Sequence, residues 1–110
     1  MQIMTTEYSI ITTTCPNKEM ARQIAKTLVE RGLVACVQMS PIESIYTWQG
    51  KICEENEIVL HIKSRTDLFD KIATEIKELH TYDVPEIVQT PITNGLAEYL
   101  NWIDDSTIKI

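Results

Sequence analysis

The sequence predicts an α+β protein with a ferredoxin-like (split βαβ) fold, in which one antiparallel sheet carries two helices on one face. Two observations support this. Strand-like and helix-like segments follow one another in the order strand, helix, strand, strand, helix, strand, and the middle two strands form an unusually long hairpin. An extra short helix closes the chain. At 110 residues, 44% of them apolar, the chain is expected to form a single domain, 1–110.

The first half-unit is a strand followed by an amphipathic helix. Tyr8–Thr14 is rich in β-branched residues and runs into Pro16, as strands ahead of a helix start often do. Lys18–Arg31 repeats apolar residues at four-residue steps, which predicts one buried stripe. Asn17 is the expected N-cap, and Gly32 the expected end of the helix.

A long hairpin follows this helix. Leu33–Trp48 is β-prone except at Pro41, which lacks an N–H and must lie at a sheet edge or a bulge. The pair Gln49 and Gly50 tolerates positive φ and is expected to reverse the chain. Lys51–Ser64 then returns with alternating apolar and polar residues, which predicts a half-buried strand.

The second half-unit repeats the helix and strand. Thr66 or Asp67 is the expected cap of a helix that ends near His80. Val84–Ile92 is the predicted last strand, and Leu96–Ile103 the extra helix. With both long helices on one face, the other face of the sheet is expected to be uncovered.

The hairpin is too long for its own domain. Each arm of about 15 residues spans about 45–50 Å at ~3.3 Å per residue, more than two short helices cover. A lone two-stranded ribbon is marginal in water, so we expect its far part to pack against neighbouring subunits. An alternative is a strand broken at Pro41 whose far half folds over the same subunit's open face. The apolar side chains concerned are Ile42, Ile45, Tyr46, Trp48 and Ile52.

Composition excludes several classes of function. Sixteen acidic against ten basic residues give a net charge of −6, which disfavours nucleic acid as a partner. No window is apolar enough for a membrane helix, and Met1–Glu7 lacks the features of a signal peptide, so we expect a cytoplasmic protein without membrane contact. The common catalytic motifs, including GxSxG, HExxH, the Walker loop and GxGxxG, are absent, which predicts that it is not an enzyme.

Cys15, Cys36 and Cys53 are widely spaced and form no CxxC pair. They indicate neither a disulfide framework nor a structural zinc site. We interpret them as reduced thiols that serve as small apolar residues.

The densest group of functional residue types is His80–Glu86, which offers an imidazole, a phenol and carboxylates in seven residues. Such donors could bind Cu(II) or another divalent ion, although a solvated connection with His80 favoured at a helix C-terminus is the simpler interpretation. The run Glu54, Glu55 and Glu57 is expected to be solvated and to protect the strand edge, with a weak hard-cation site as the alternative. His61 is expected to be structural or at an interface.

Four strings support a family resemblance. LVACVQ, SIYTWQGKICEENEIVLHIKS, HTYDVPEIV and EYLNWI, in this order and spacing, resemble the CutA family of divalent-cation tolerance proteins over Tyr8 to Ile103. The resemblance implies a ferredoxin-like subunit in a tight homotrimer whose long hairpins pair between neighbours. It also implies a non-enzymatic role in tolerance of copper and other divalent cations, and a likeness in fold to PII signalling proteins.

The resemblance implies a metal site that this chain keeps only in part. The copper site proposed in enterobacterial members of the family uses a cysteine in the first strand and two adjacent histidines. The cysteine position is Thr13 here, and the first histidine position is Leu79, so that only His80 remains. Cys15 lies two residues along and could replace the cysteine if the strand reaches it. We therefore expect no obligatory cofactor and weak binding of Cu(II) or another divalent ion by His80 and Cys15.

Two other functions stay open. One is a PII-like signalling module that binds a small anion in the cleft between subunits, for which the candidate residues are Lys63, Tyr82, Glu86, Tyr99 and Trp102. The other is a trimeric scaffold that anchors a protein partner.

Overall fold

The computed structural model describes residues 7–109. The strands are β1 (Tyr8–Cys15), β2 (Cys36–Trp48), β3 (Lys51–Arg65) and β4 (Ile87–Pro91), and the helices are α1 (Lys18–Glu30), α2 (Phe69–Leu79) and α3 (Ala97–Asp105). The sheet order is β2-β3-β1-β4, with every neighbouring pair antiparallel. This confirms the predicted ferredoxin-like class. Of the segment used in the signal-peptide argument, residues 1–6 lie outside the described range.

The core lies between the sheet and the two long helices. Strand alternation places Ile11 of β1 opposite Ile62 of β3 on the helix-covered face. The fully buried apolar side chains that meet there are Ile11, Ile24, Leu28, Leu60, Ile62, Leu68, Ile72 and Ile76. Removal of these side chains from water is the main stabilising term for this half of the molecule. No helix within residues 7–109 is both long enough and apolar enough to cross a membrane.

Both ends of α1 follow the sequence prediction. The side chain of Asn17 accepts a hydrogen bond from the backbone N–H of Met20 at 2.8 Å. At the other end Gly32 has φ +68°, and the N–H of Leu33 donates to the carbonyl of Leu28 at 3.1 Å. These contacts satisfy backbone groups that a helix end leaves unpaired.

The hairpin is confirmed, with one change, at the start of its first strand. Gln49 and Gly50 both have positive φ, 52° and 75°, and close a two-residue turn. Pro41 pairs with Ile58 in an unbroken register, so it lies on an edge strand and no bulge is present. The strand begins at Cys36 and not at position 33, because the residues after α1 are buried in the core before the chain joins the sheet.

The second half-unit differs at its boundaries. The predicted cap of α2 is wrong: a 3-10 turn (Thr66–Leu68) precedes the helix, and the first α-helical turn has no side-chain cap. The Thr66 hydroxyl hydrogen-bonds Ser9 at 2.6 Å, and the Asp67 carboxylate pairs with Arg65 at 3.1 Å. β4 begins at Ile87 and not at position 84, since the preceding residues form the loop described below.

The extra helix α3 covers part of the face that was expected to be open. The ammonium group of Lys63 lies 5.5 Å from the centroid of the Tyr99 ring, on the side of β3 opposite the core. The Tyr8 hydroxyl donates to the Asp104 carboxylate. The buried Arg65 guanidinium donates to the Thr107 hydroxyl at 3.0 Å. The open face is therefore closed at this end of the sheet.

Candidate functional site

The far half of the hairpin leaves the sheet. β1 pairs with β3 only from Arg65 back to Ile58, so residues 42–48 of β2 and 51–57 of β3 form a two-stranded ribbon, here called the distal ribbon. Neither of its edges has a partner strand within the described chain. The exposed fractions of Ile45, Trp48 and Ile52 are 71%, 48% and 76%. Because the β2-β3 pairing is unbroken, the alternative of a strand broken at Pro41 is wrong.

The loop after α2, residues 80–86, is hydrogen-bonded to the junction between the sheet and the distal ribbon. His80 Nδ1 accepts a hydrogen bond from the backbone N–H of Tyr82 at 3.1 Å. His80 Nε2, 2.7 Å from the carbonyl oxygen of Thr14, is then the protonated nitrogen and donates to it. The His80 and Tyr82 rings also pack with centroids 4.6 Å apart. The loop is thereby held across the end of β1.

The Glu57 carboxylate accepts a hydrogen bond from Tyr82 of this loop. The Tyr82 hydroxyl donates to Glu57 Oε2 at 2.9 Å, and only 7% of Glu57 is exposed. Burial and this hydrogen bond raise the pKa of Tyr82, so the phenol stays protonated and continues to donate. The expectation of a solvated acidic run is therefore wrong for Glu57, although Glu54 and Glu55 are exposed.

The loop and the distal ribbon enclose a cleft of about 750 Å³. Burial and the neighbouring Glu55 carboxylate raise the pKa of Tyr46, one of its aromatic walls, to about 12. Lys, Arg and His are absent from the described residues that line it. Its aromatic side chains are Tyr46, Trp48 and Tyr82, and its carboxylates are Glu43, Glu55, Glu57, Asp83 and Glu86. The cleft, here called the acidic cleft, is suited to cations and unsuited to anions.

The predicted pair His80 and Cys15 does not fit a preformed metal site. Both ring nitrogens of His80 are engaged in hydrogen bonds, which leaves no free lone pair. Cys15 is fully buried, and burial together with the charge of Glu57 raises the pKa of its thiol to about 11. Metals bind the thiolate. Residues 7–109 contain no group of three or more His, Cys, Asp or Glu that could hold a metal ion.

The residues predicted for an anion-binding cleft lie in two places. Lys63 lies over Tyr99, whose ring centroid is 5.5 Å from that of Trp102. Tyr82 and Glu86 line the acidic cleft instead, near the far end of β3. The structure of the single chain therefore does not bring these five residues together.

Sequence reasoning named Asp83 and Glu86 in the loop and gave Glu55 and Glu57 as an alternative cation site, but it missed Glu43 and the burial of Glu57. One signal for the burial of Glu57 was present. Glu57 lies on the same face of β3 as Val59 and directly precedes Ile58, where the apolar pattern of the strand begins. The contact with Tyr82 joins positions 25 residues apart and has no local signature.

Comparison with known proteins identifies the family. Residues 9–106 match the profile of the CutA1 divalent ion tolerance protein family. The chain belongs to this family. It is 46% identical over 99 residues to the divalent-cation tolerance protein CutA of Thermus thermophilus, and the match covers 89% of this chain and 96% of that relative. The family is named for cation tolerance and not for a catalytic activity.

Solved structures of the family have the same fold. CutA1 from the psychrotrophic bacterium Shewanella sp. SIB1, described as a stable protein, matches with a TM-score of 0.92 and 41% identity over 94% of this chain and 98% of that one. A CutA from Archaeoglobus fulgidus, described as a periplasmic divalent cation tolerance protein, matches with a TM-score of 0.89 and 40% identity over 90% and 97%. The high scores extend the family assignment to the whole architecture.

Proposed function

We propose that this CutA-family chain works as a non-enzymatic homotrimer in divalent-cation tolerance, and that it binds copper or other divalent ions only weakly. The distal ribbon carries the assembly part of this proposal. Within residues 7–109 both edges of this ribbon are unpaired, and its strands expose Ile45, Trp48 and Ile52. Unpaired strand edges pair readily with other chains, and a lone ribbon gains stability from such pairing.

The number of subunits follows from the family resemblance. In that arrangement the long hairpins of neighbouring subunits pair, which would cover the edges and apolar side chains that one chain leaves in water. At ~25 cal/mol per Å² of apolar surface removed from water, several such side chains per subunit contribute strongly to association.

Weak binding of divalent ions is proposed from the state of His80. An ion that uses this imidazole must first displace the N–H of Tyr82 or the carbonyl of Thr14, and each such hydrogen bond is worth about 1 kcal/mol. Carboxylates near the loop, such as Glu86 and Asp83, are oxygen donors for such an ion. The acidic cleft also attracts cations by its charge.

A cytoplasmic location is part of the proposal. All three cysteines are free, with Cys15 buried and Cys36 and Cys53 half-buried, as suits a reducing compartment. The related Archaeoglobus protein is described as periplasmic, so fractionation of cells that make the chain without a tag is the direct test.

Light scattering on the untagged protein tests the assembly. At micromolar concentration the mass should be three times that of the chain, and the double variant Ile45→Asp, Ile52→Asp should shift it to lower mass with its helices retained by circular dichroism. The matched control Glu19→Asp, an exposed position on α1, should leave the trimer intact. A wild-type monomer, or a charged variant that stays trimeric, would refute the proposed assembly.

Calorimetric titration with Cu(II) tests the ion part. We expect weak binding that declines further in His80→Ala and is unchanged in His61→Ala, the other histidine, which is exposed on β3. Nanomolar affinity, or equal affinity in both variants, would contradict the role of His80.

A further inference from the structure

The loop between β4 and α3 contains Asn94 and Gly95, the one Asn-Gly pair of the chain. Residues 92–96 belong to no helix or strand, and both Asn94 and Gly95 are exposed. The backbone of residues 93–95 forms no hydrogen bond with another backbone group of the described chain. Solvent therefore reaches this pair, and no strand or helix ladder restrains its backbone.

The Asn94 side chain folds back onto the next peptide unit. The backbone N–H of Gly95 donates to Oδ1 of Asn94, with the nitrogen and the oxygen 2.9 Å apart. Since Oδ1 is bonded to Cγ, the Gly95 nitrogen lies beside the side-chain carbonyl carbon of Asn94. Two reacting groups held next to each other in this way have the rate advantage of an intramolecular reaction.

Packing against α3 favours glycine at position 95. A Cβ at Gly95 would lie 3.1 Å from the Leu100 side chain. Glycine permits this close approach because it has no Cβ. For the same reason its nitrogen is the least hindered backbone nitrogen that could follow Asn94.

We propose that Asn94 is a site of spontaneous deamidation in which the Gly95 nitrogen is the nucleophile. The Gly95 N–H gives its proton to solvent, and the nitrogen forms a bond with Cγ of Asn94. The Cγ–Nδ2 bond then breaks, and the side-chain nitrogen takes a proton from water and leaves as ammonia. Water opens the resulting cyclic imide. Attack of water at Cγ gives aspartate, and attack at the backbone carbonyl of Asn94 gives isoaspartate, which adds one carbon to the main chain.

This modification is independent of the proposed trimer and of ion binding, since Asn94 and Gly95 belong neither to the distal ribbon nor to the acidic cleft. Either product places a new carboxylate two residues before Leu96, the N-cap of α3. A negative charge is favourable near the N-terminal end of a helix. We therefore expect α3 to be retained in the modified chain.

Peptide mapping by mass spectrometry, on full-length protein stored at neutral pH and physiological temperature, tests this site. Trypsin cuts after Lys77 and next after Lys109, so one peptide contains both Asn94 and Asn101. Asn101 is also exposed, but it lies within α3, where the N–H of the following residue is engaged in the helix. Because this geometry holds the nitrogen away from the side-chain carbonyl, deamidation should be at least about tenfold slower at Asn101 than at Asn94.

An isoaspartate-specific methyltransferase gives a second measurement. Stored wild-type protein should accept methyl groups, whereas Asn94→Gln should lose this signal, since the longer side chain must close a larger ring. The matched control Asn101→Gln should keep the signal. No conversion at Asn94, equal rates at Asn94 and Asn101, or methylation that persists in Asn94→Gln would overturn the proposal.

Discussion

The globular half and the distal ribbon differ in how far their apolar side chains are buried and their polar groups are paired. In the globular half, α1 and α2 bury Ile24, Leu28 and Ile62 completely, and the buried Glu75 has its own arginine. In the distal ribbon, Ile45 and Ile52 are largely exposed, and the strand edges are unpaired within the described chain. The difference shows that the contacts within the described chain bury the apolar side chains of the globular half, whereas those of the ribbon are left in water.

The largest expected effect is in the globular half. Leu28→Ala should lower the free energy of unfolding by about 2–5 kcal/mol, because it leaves a cavity among fully buried side chains. Urea denaturation measures this loss, and light scattering should give the same subunit number as the wild type. The neighbouring Val29→Ala is the control, since Val29 is 47% exposed and should lose less than about 1 kcal/mol. Equal losses at both positions would contradict a core on one face of α1.

A smaller loss of stability is expected when the positive-φ glycine of either half is replaced by alanine, and its size should differ between the halves. Gly32 and Gly50 both have positive φ, where an L side chain costs about 1–2 kcal/mol. A Cβ at Gly32 would in addition lie 3.0 Å from the Ile108 side chain, whereas a Cβ at Gly50 meets nothing within 4 Å. Thermal unfolding should therefore show a greater loss for Gly32→Ala than for Gly50→Ala. The reverse order would show that the turn of the ribbon is as closely packed as the end of α1.

The smallest expected effect is confined to alkaline pH. The hydrogen bond to Asp104, burial and nearby carboxylates raise the pKa of Tyr8 to about 12 from an ordinary value of 10.0. Since the raised value belongs to the folded state, this stabilisation is full below pH 10 and is lost as the pH rises towards 12.

Urea denaturation at pH 9 and pH 11 measures this loss. The decline between the two pH values should be smaller in Tyr8→Phe than in the wild type. An equal decline would show that the contact between β1 and α3 does not respond to ionisation of Tyr8.

Local signals were sufficient for most of the fold. The four-residue apolar repeat defined α1, and Asn17 and Gly32 fixed its ends because capping depends on neighbouring residues only. The start of α2 was missed because Thr66 and Asp67, both good caps, instead bond Ser9 and Arg65. Propensity cannot show that a tertiary contact takes a side chain away from its local role.

The candidate site was less predictable for the same physical reason. His80 and Tyr82 were recognised as chemically rich, but their partners Thr14 and Glu57 come from distant strands. The side-chain types left a metal ligand at His80 as the less simple interpretation, and the family resemblance favoured it. Only the geometry shows that both ring nitrogens of His80 are occupied and that Glu57 is buried and accepts a hydrogen bond from Tyr82.

Pro41 lies where the globular half meets the distal ribbon, opposite Ile58, the last residue of β3 that β1 also reaches. Prolines in edge strands turn their nitrogen towards solvent and offer no donor there. A strand from another chain that paired along β2 would lack one interstrand hydrogen bond at this residue. The outer edge of β2 therefore has one backbone donor fewer at the residue where the sheet ends and the distal ribbon begins.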